Sequence, residues 1–203
     1  MNSELPICAI VLAAGESRRM GIQKLLLPFA GTTVIAHIVD QLLRTVIDKV
    51  IVVVGHEGNR IAAELSGQPV SIVTNPNYKA GMLSSVRCGL EALPQQCKAV
   101  MVVLGDQPAI TSELIDEMVR SFTATDKGIL TPVHGGKRGH PILFSASYRD
   151  EILTRYDDVG LRGLLHAHPD DIFELTVAIS AVLSDMDYPD DYRRALGAFE
   201  KNA

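Results

Sequence analysis

A run of largely apolar residues, Ile7–Ala13, leads into a loop of small residues and cations that reads Leu12-Ala13-Ala14-Gly15-Glu16-Ser17-Arg18-Arg19-Met20-Gly21-Ile22-Gln23-Lys24. The run lacks polar alternation, so it suits a strand covered on both faces, as in a parallel sheet. Such sheets bind ligands beyond the carboxyl ends of their strands, which is where this loop begins. Ala13, Ala14, Gly15 and Ser17 leave the backbone bare, while Arg18, Arg19 and Lys24 add positive charge. Bare amides beside cations are what a polyphosphate requires. The loop is not a P-loop: Gly15 and Gly21 stand six apart and Lys24 is followed by Leu25. Nor does the chain contain G-x-G-x-x-G.

The remaining pattern agrees with that start. Lys49–Val54, Val70–Thr74 and Ala99–Leu104 read as further strands. Thr33–Arg44, Asn59–Leu65, Leu83–Leu93 and Ser112–Phe122 read as the helices between them. The second half is less regular. Gly128–Pro132 reads as a strand, and Ile142–Phe144 as a short edge or antiparallel one. Arg149–Arg155 and Leu161–Ala167 read as short helices, Ile172–Leu175 and Ala181–Leu183 as strands, and Asp190–Phe199 as a terminal helix behind Pro189. Strand–helix alternation without repeats or linkers predicts an α/β fold. It is expected as one domain over 1–203, a Rossmann-like doubly wound, mainly parallel but mixed sheet.

Composition narrows the function. The chain has 203 residues and a net charge of −5, which argues against a nucleic-acid or anionic-membrane surface. No apolar run approaches the length of a membrane span, and Met1–Pro6 lacks the features of a leader, so the cytoplasm is expected. Cys8, Cys88 and Cys97 form no C-x-x-C pair. Cys8 and Cys88 read as small buried hydrophobes and Cys97 as exposed. His37, His56, His134, His166 and His168 have no metal-ligand spacing and read as surface or structural.

Four further segments bear on chemistry. Asp106, in Gly105-Asp106-Gln107-Pro108, follows an apolar strand and so faces the ligand crevice. One carboxylate there suits Mg²⁺ bridging triphosphate oxygens, although the segment also reads as a turn with Asp106 capping a helix. Asp187 lies in a second acidic element, Asp185-Met186-Asp187-Tyr188-Pro189, and on its residues alone reads as the cap of the last helix. Asn75, Gly81, Ser84 and Ser85 place amides and hydroxyls at a helix start, fit either for a nucleotide or for an ordinary N-cap. Gly139-His140-Pro141 follows a glycine-rich turn with Lys137 and Arg138. Arg162 lies in Asp158-Val159-Gly160-Leu161-Arg162. These cations suit an acceptor phosphate, or alternatively solvated surface positions.

In order, these segments resemble the nucleotidyltransferases that activate sugars, terpenoid precursors and molybdopterin. The shared pattern is L-A-A-G-x-S-x-R-M-G followed by Lys, matched at Leu12, Ala13, Ala14, Gly15, Ser17, Arg19, Met20, Gly21 and Lys24. Along nearly its whole length the chain is most similar to the molybdenum cofactor cytidylyltransferase group. The resemblance implies the nucleotide-diphospho-sugar transferase type of fold. It implies Mg²⁺ on Asp106 and Asp187, with Tyr188 standing where threonine is usual. It places nucleotide on Leu12, Ala13, Ala14, Gly15, Ser17, Arg19, Lys24, Asn75, Gly81, Ser84 and Ser85. The acceptor falls to Gly139, His140, Pro141 and Arg162, and Asp157 stands where glycine is common.

The implied reaction is attack by a phosphorylated acceptor on the α-phosphorus of a nucleoside triphosphate, with pyrophosphate leaving. The acceptor phosphate is already anionic, so Arg19, Lys24 and Asp106 would work by neutralising charge and holding the groups in line. Ala14 resembles the cytidylyltransferases and favours CTP. The implied partners are CTP, a molybdopterin-type acceptor and a molybdenum hydroxylase that receives the product. Two alternatives stand: another triphosphate and phosphorylated acceptor, or a non-catalytic nucleotide-binding maturation partner.

Overall fold

The structure is a computed structural model that describes residues 5–202. Residues 1–4, part of the stretch read above for a leader, lie outside the described residues. Seven strands make the body of the sheet: β1 (Ile7–Ala13), β2 (Lys49–Val54), β3 (Ser71–Thr74), β4 (Ala99–Leu104), β5 (Ile129–His134), β6 (Ile142–Ser145) and β7 (Ile172–Thr176). Their order is β7-β5-β6-β4-β1-β2-β3. All neighbouring pairs are parallel except those of β6, which runs antiparallel between β4 and β5. The mixed, mainly parallel α/β expectation holds. β6 is antiparallel as one reading had it, but it lies inside the sheet rather than at an edge.

The alternation of side chains along β1 divides the core. Ile7, Ala9 and Val11 face one layer, with helices α1 (Val34–Leu43), α4 (Ser112–Thr123) and α7 (Pro189–Asn202). Cys8 and Ile10 face the other, with α3 (Met82–Glu91), α5 (Arg149–Thr154) and α6 (Arg162–Ala167). A strand with both faces packed must be apolar at every position, which is why β1, β2 and β4 read as unbroken hydrophobic runs. The shorter helix α2 (Gly58–Glu64) follows β2 and buries Ile61. Thr33 and Thr111 start α1 and α4 by accepting from the amides of Ala36 and Leu114. Among the described residues, no helix is long and apolar enough to cross a membrane.

Two expectations are corrected. Ala181–Leu183 is not a strand but part of a 3-10 turn, Ser180–Leu183, in which only Val182 is buried. After β7, at the sheet edge, the chain must cross back toward the centre, and the tight turn redirects it. Cys97 is buried, its thiol donating to the Ala99 carbonyl oxygen at 3.1 Å. The cations after Gly135-Gly136 stand exposed on a hairpin, as the surface reading had it. Lys137–Arg138 pair antiparallel with the end of β5, and both glycines adopt the positive φ that such a two-residue hairpin turn needs.

Sheet register decides where the loops meet. Leu12 stands opposite Leu104 and Ala13 opposite Val54, so β1, β2 and β4 end level. The loops after β1 and β4 therefore emerge side by side. The layer behind them is tight: a methyl group on Gly89 of α3 would lie 2.5 Å from Ile10 Cγ2 and 3.1 Å from Val53 Cγ2. Gly89→Ala is expected to cost about 1–3 kcal/mol through overpacking, read as a lower urea midpoint at unchanged slope.

Candidate functional site

At the level carboxyl ends of β1 and β4 lies a cavity of about 550 Å³. Its wall includes Leu12, Ala14, Gly15, Ser17, Arg19 and Lys24 from the first loop, with Gly81, Ser85, Asp106 and Asp187 from elsewhere. Gly105 makes the approach of Asp106 possible. Its amide donates to the Leu12 carbonyl at 3.0 Å, and a Cβ there would lie 2.6 Å from the same oxygen.

The first loop is held from behind. Ala14's carbonyl accepts from the His56 amide at 3.1 Å. Buried Gln23 donates to the carbonyls of Gly15 (3.2 Å) and His56 (3.4 Å) and accepts from Ser17 Oγ (2.9 Å). Ser17, at φ +51°, in turn accepts from the Lys24 amide at 3.2 Å. The carbonyls of Ala14 and Gly15 are thus engaged, while none of the five amides of residues 15–19 donates to a described residue. Consecutive unpaired amides form an anion-binding concavity.

The charges converge in front of that loop. Lys24 Nζ lies 2.5 Å from Asp106 Oδ2 and 3.1 Å from Asp187 Oδ1. Arg19 Nη1 is 2.5 Å from Asp187 Oδ2, and its guanidinium lies 5.7 Å from the centre of the Tyr188 ring. Burial pulls the Lys24 ammonium down, but the Asp106 carboxylate, with Asp187, more than reverses this, and its pKa is raised. Lys24 therefore carries its charge throughout the physiological range. Asp185 is raised, first by burial and then by the nearby Asp106 charge.

Two carboxylates within 3.1 Å of one ammonium group show that both can reach a single cation. Among the described residues, no group of three or more His, Cys, Asp or Glu forms a metal cage. Two carboxylates, with remaining positions for water and phosphate oxygens, match the needs of Mg²⁺. Asp187 does not cap the last helix. Asp191, in the first turn of that helix, reaches back to accept from the amides of Asp187 (3.1 Å) and Tyr188 (2.7 Å).

Several residues expected at the nucleotide do not line this cavity. Ala13 is buried in the core on the face shared with α1. Asn75 is buried and its amide is spent: Oδ1 accepts from the Asn77 amide, and Nδ2 donates to Ser84 Oγ and Ser85 Oγ. Ser84 is spent too, donating to the carbonyls of Asn77 and Gly81. Of the two serines, Ser85 is the one on the cavity wall. The first residue of α3 is Met82, so neither serine is its N-cap.

The acceptor group lies off this wall. Gly139 and Pro141 are buried, and Arg162 is exposed at the start of α6. Arg138 is tied to Glu174 on β7 at 2.7 Å, which removes it from the site. Asp157 pairs with Arg87 at 2.5 Å, a contact between α3 and the turn after α5. His140 Nδ1 is buried without a hydrogen-bond partner among the described residues. His37 is structural, packed between the rings of Phe29 and Phe199.

Sequence reasoning passed over Gln23, Tyr78, Met82 and Asp185, all on the wall, and Gln107 behind it. Uncharged glutamines have no pattern of their own. The one available signal was their place beside Lys24 and Asp106.

Burial holds the His140 pKa down to about 4 from an ordinary 6.5, with Asp106 pulling it up and Arg162 pushing it down. The neutral ring is the folded form, so its contribution to stability is complete above about pH 6.5 and is lost as pH falls toward 4. Thermal midpoints of His140→Gln are expected to fall less steeply than those of the parent across that window.

The chain is similar to known proteins in both sequence and fold. A MobA-like NTP transferase domain matches residues 9–172. The molybdenum cofactor cytidylyltransferase of Escherichia coli is 29% identical over 92% of this chain and 93% of its own. The nicotine blue oxidoreductase of Paenarthrobacter nicotinovorans is 27% identical over 83% of this chain and 86% of its own. Among solved structures, Rv0371c of Mycobacterium tuberculosis superposes with a TM-score of 0.86 at 28% identity, covering 96% of this chain and 99% of that one. A second structure of Rv0371c is a complex with manganese, with a TM-score of 0.81 at 27% identity over 95% of this chain and 99% of that one.

Proposed function

The chain belongs to the MobA-like NTP transferase family and is a nucleotidyltransferase, and from that premise we propose that it transfers CMP from CTP to a molybdopterin-type acceptor. The observation that supports this most is the pairing, in one cavity, of five unpaired amides at residues 15–19 with the Lys24–Asp106–Asp187 charge cluster.

The triphosphate lies against the amides of Gly15–Arg19, with Lys24 and Arg19 neutralising its oxygens. The base takes the end of the cavity bounded by Ala14, Tyr78, Met82 and Ser85. Ser85 Oγ accepts from Asn75, so its hydroxyl proton remains available to a ligand. Asp106 and Asp187 hold Mg²⁺, which when bound supplies positive charge against the phosphate oxygens. An acceptor phosphate oxygen then forms a bond to the α-phosphorus as the bond to the bridging oxygen of the β-phosphate breaks. Lys24, fully protonated, stabilises the charge that passes to the departing pyrophosphate. No proton need be removed from an already anionic nucleophile, so no base is required.

The acceptor approaches from the side of His140, Pro141 and Arg162. The charges of Asp106 and Arg162 both act on His140, which supports an acceptor side next to Asp106. CTP and the molybdopterin acceptor rest on Ala14 and on similarity to the E. coli enzyme over nearly its whole length. The manganese complex of Rv0371c supports a divalent ion, and the three free cysteines suit a reducing cytoplasm.

Pyrophosphate release with Mg²⁺ and each of CTP, GTP, ATP and UTP, with and without molybdopterin, tests the reading. Release is expected only with CTP and acceptor together, and Asp106→Asn should lower it by about 10²–10³-fold. Release with a different base overturns the reading of Ala14. Absence of release with every triphosphate overturns the reaction.

A further inference from the structure

Gln107 presents an energetic anomaly. The residue is 1% exposed, yet among the described residues its Oε1 has no hydrogen-bond partner. Burying an amide with half of its capacity unmet is costly, and an apolar side chain of similar size would avoid that cost. Packing therefore does not account for the amide. The bond that it does make leads into the site: Nε2 donates to Asp185 Oδ1 at 2.7 Å.

A second bond runs beside it. The amide of Met186 donates to the carbonyl of Asp106 at 3.1 Å, and the Met186 side chain is 1% exposed in the core. Residues 106–107 and 185–186 are thus joined by two rungs, one from backbone and one from side chain. The two carboxylates that face Lys24 sit directly on this ladder, Asp106 on one rail and Asp187 immediately beyond the other. Asp187 is fixed from its far side by Asp191. Without the Gln107 rung, the Asp185 side chain would be free to swing, and beside the Lys24 bridge one direct backbone bond would join segments 78 residues apart.

We propose that Gln107 is a positioning residue that acts through Asp185 to set the separation of the Asp106 and Asp187 carboxylates, and thereby the affinity of the site for a divalent cation. The inference rests on the metal-dependent reading given above and adds the pair that tunes it. Asp185 serves here as the acceptor of the Gln107 amide, not as a ligand. Its charge is dispensable for that role, whereas its Oδ1 is not.

The test is Mn²⁺ titration of the full chain followed by electron paramagnetic resonance, with thermal unfolding measured on the same samples. Gln107→Leu is expected to bind Mn²⁺ about 10–100-fold more weakly, with an unfolding midpoint equal to or above that of the parent. Asp185→Ala should reproduce the loss. Asp185→Asn, which keeps an oxygen for Gln107 to donate to, should recover most of it. Unchanged Mn²⁺ affinity in folded Gln107→Leu overturns the inference while leaving the metal reading intact. Equal losses in Asp185→Asn and Asp185→Ala overturn it too, because they would make Asp185 a ligand. If the parent shows no Mn²⁺ binding that Asp106→Asn abolishes, the metal reading falls and the inference falls with it.

Discussion

Everything at the carboxyl end of this sheet is organised around one ammonium group. Lys24 Nζ draws together a carboxylate from the end of β4 and another from just before α7, at 2.5 and 3.1 Å. The three segments are far apart in sequence and have little else in common. Their meeting depends on level strand ends and on a glycine at position 105 that lets backbone approach backbone. The cluster is partly sheltered, with the Lys24 side chain 13% exposed, so its attractions are weakened less by solvent than those of a surface pair. The acidic background of the whole chain makes that local concentration of cations more distinct.

The antiparallel strand β6 has an architectural role. By running backward between β4 and β5, it brings the segment that precedes it, Gly139–Pro141, to the end of the sheet where the cavity opens. An all-parallel arrangement would deliver that segment to the opposite end. The reversal thus sets that segment at the cavity's end of the sheet, off the wall itself. Arg138 shows how local such placement is. It stands one residue before Gly139, yet it turns to Glu174 and contributes nothing to the cavity.

Much of the fold was legible in the residues. Lys49–Val54 and Ala99–Leu104 are apolar throughout because both of their faces are packed, and that pattern has one economical explanation. The loop from Leu12 to Lys24 was equally plain. What was not legible depended on rotation and distance. Two adjacent serines look alike in sequence, but a helix turns about 100° per residue, and only Ser85 meets the cavity. Asn75 is expected at the nucleotide from the resemblance, and its three internal bonds appear only in three dimensions. Ala181–Leu183 was too short for its period to separate strand from turn. The roles of Gln23 and Gln107 depend on partners that no local pattern announces.

The brace behind the first loop has a thermodynamic consequence. With the carbonyls of Ala14 and Gly15 engaged and Ser17 held by Gln23, the loop is in its working shape before any ligand arrives. The entropy of ordering it is therefore spent during folding rather than during association. A receptor of this kind acts as a stiff mould. Its selectivity follows from the shape and charge of what enters, not from how far the chain can rearrange around it.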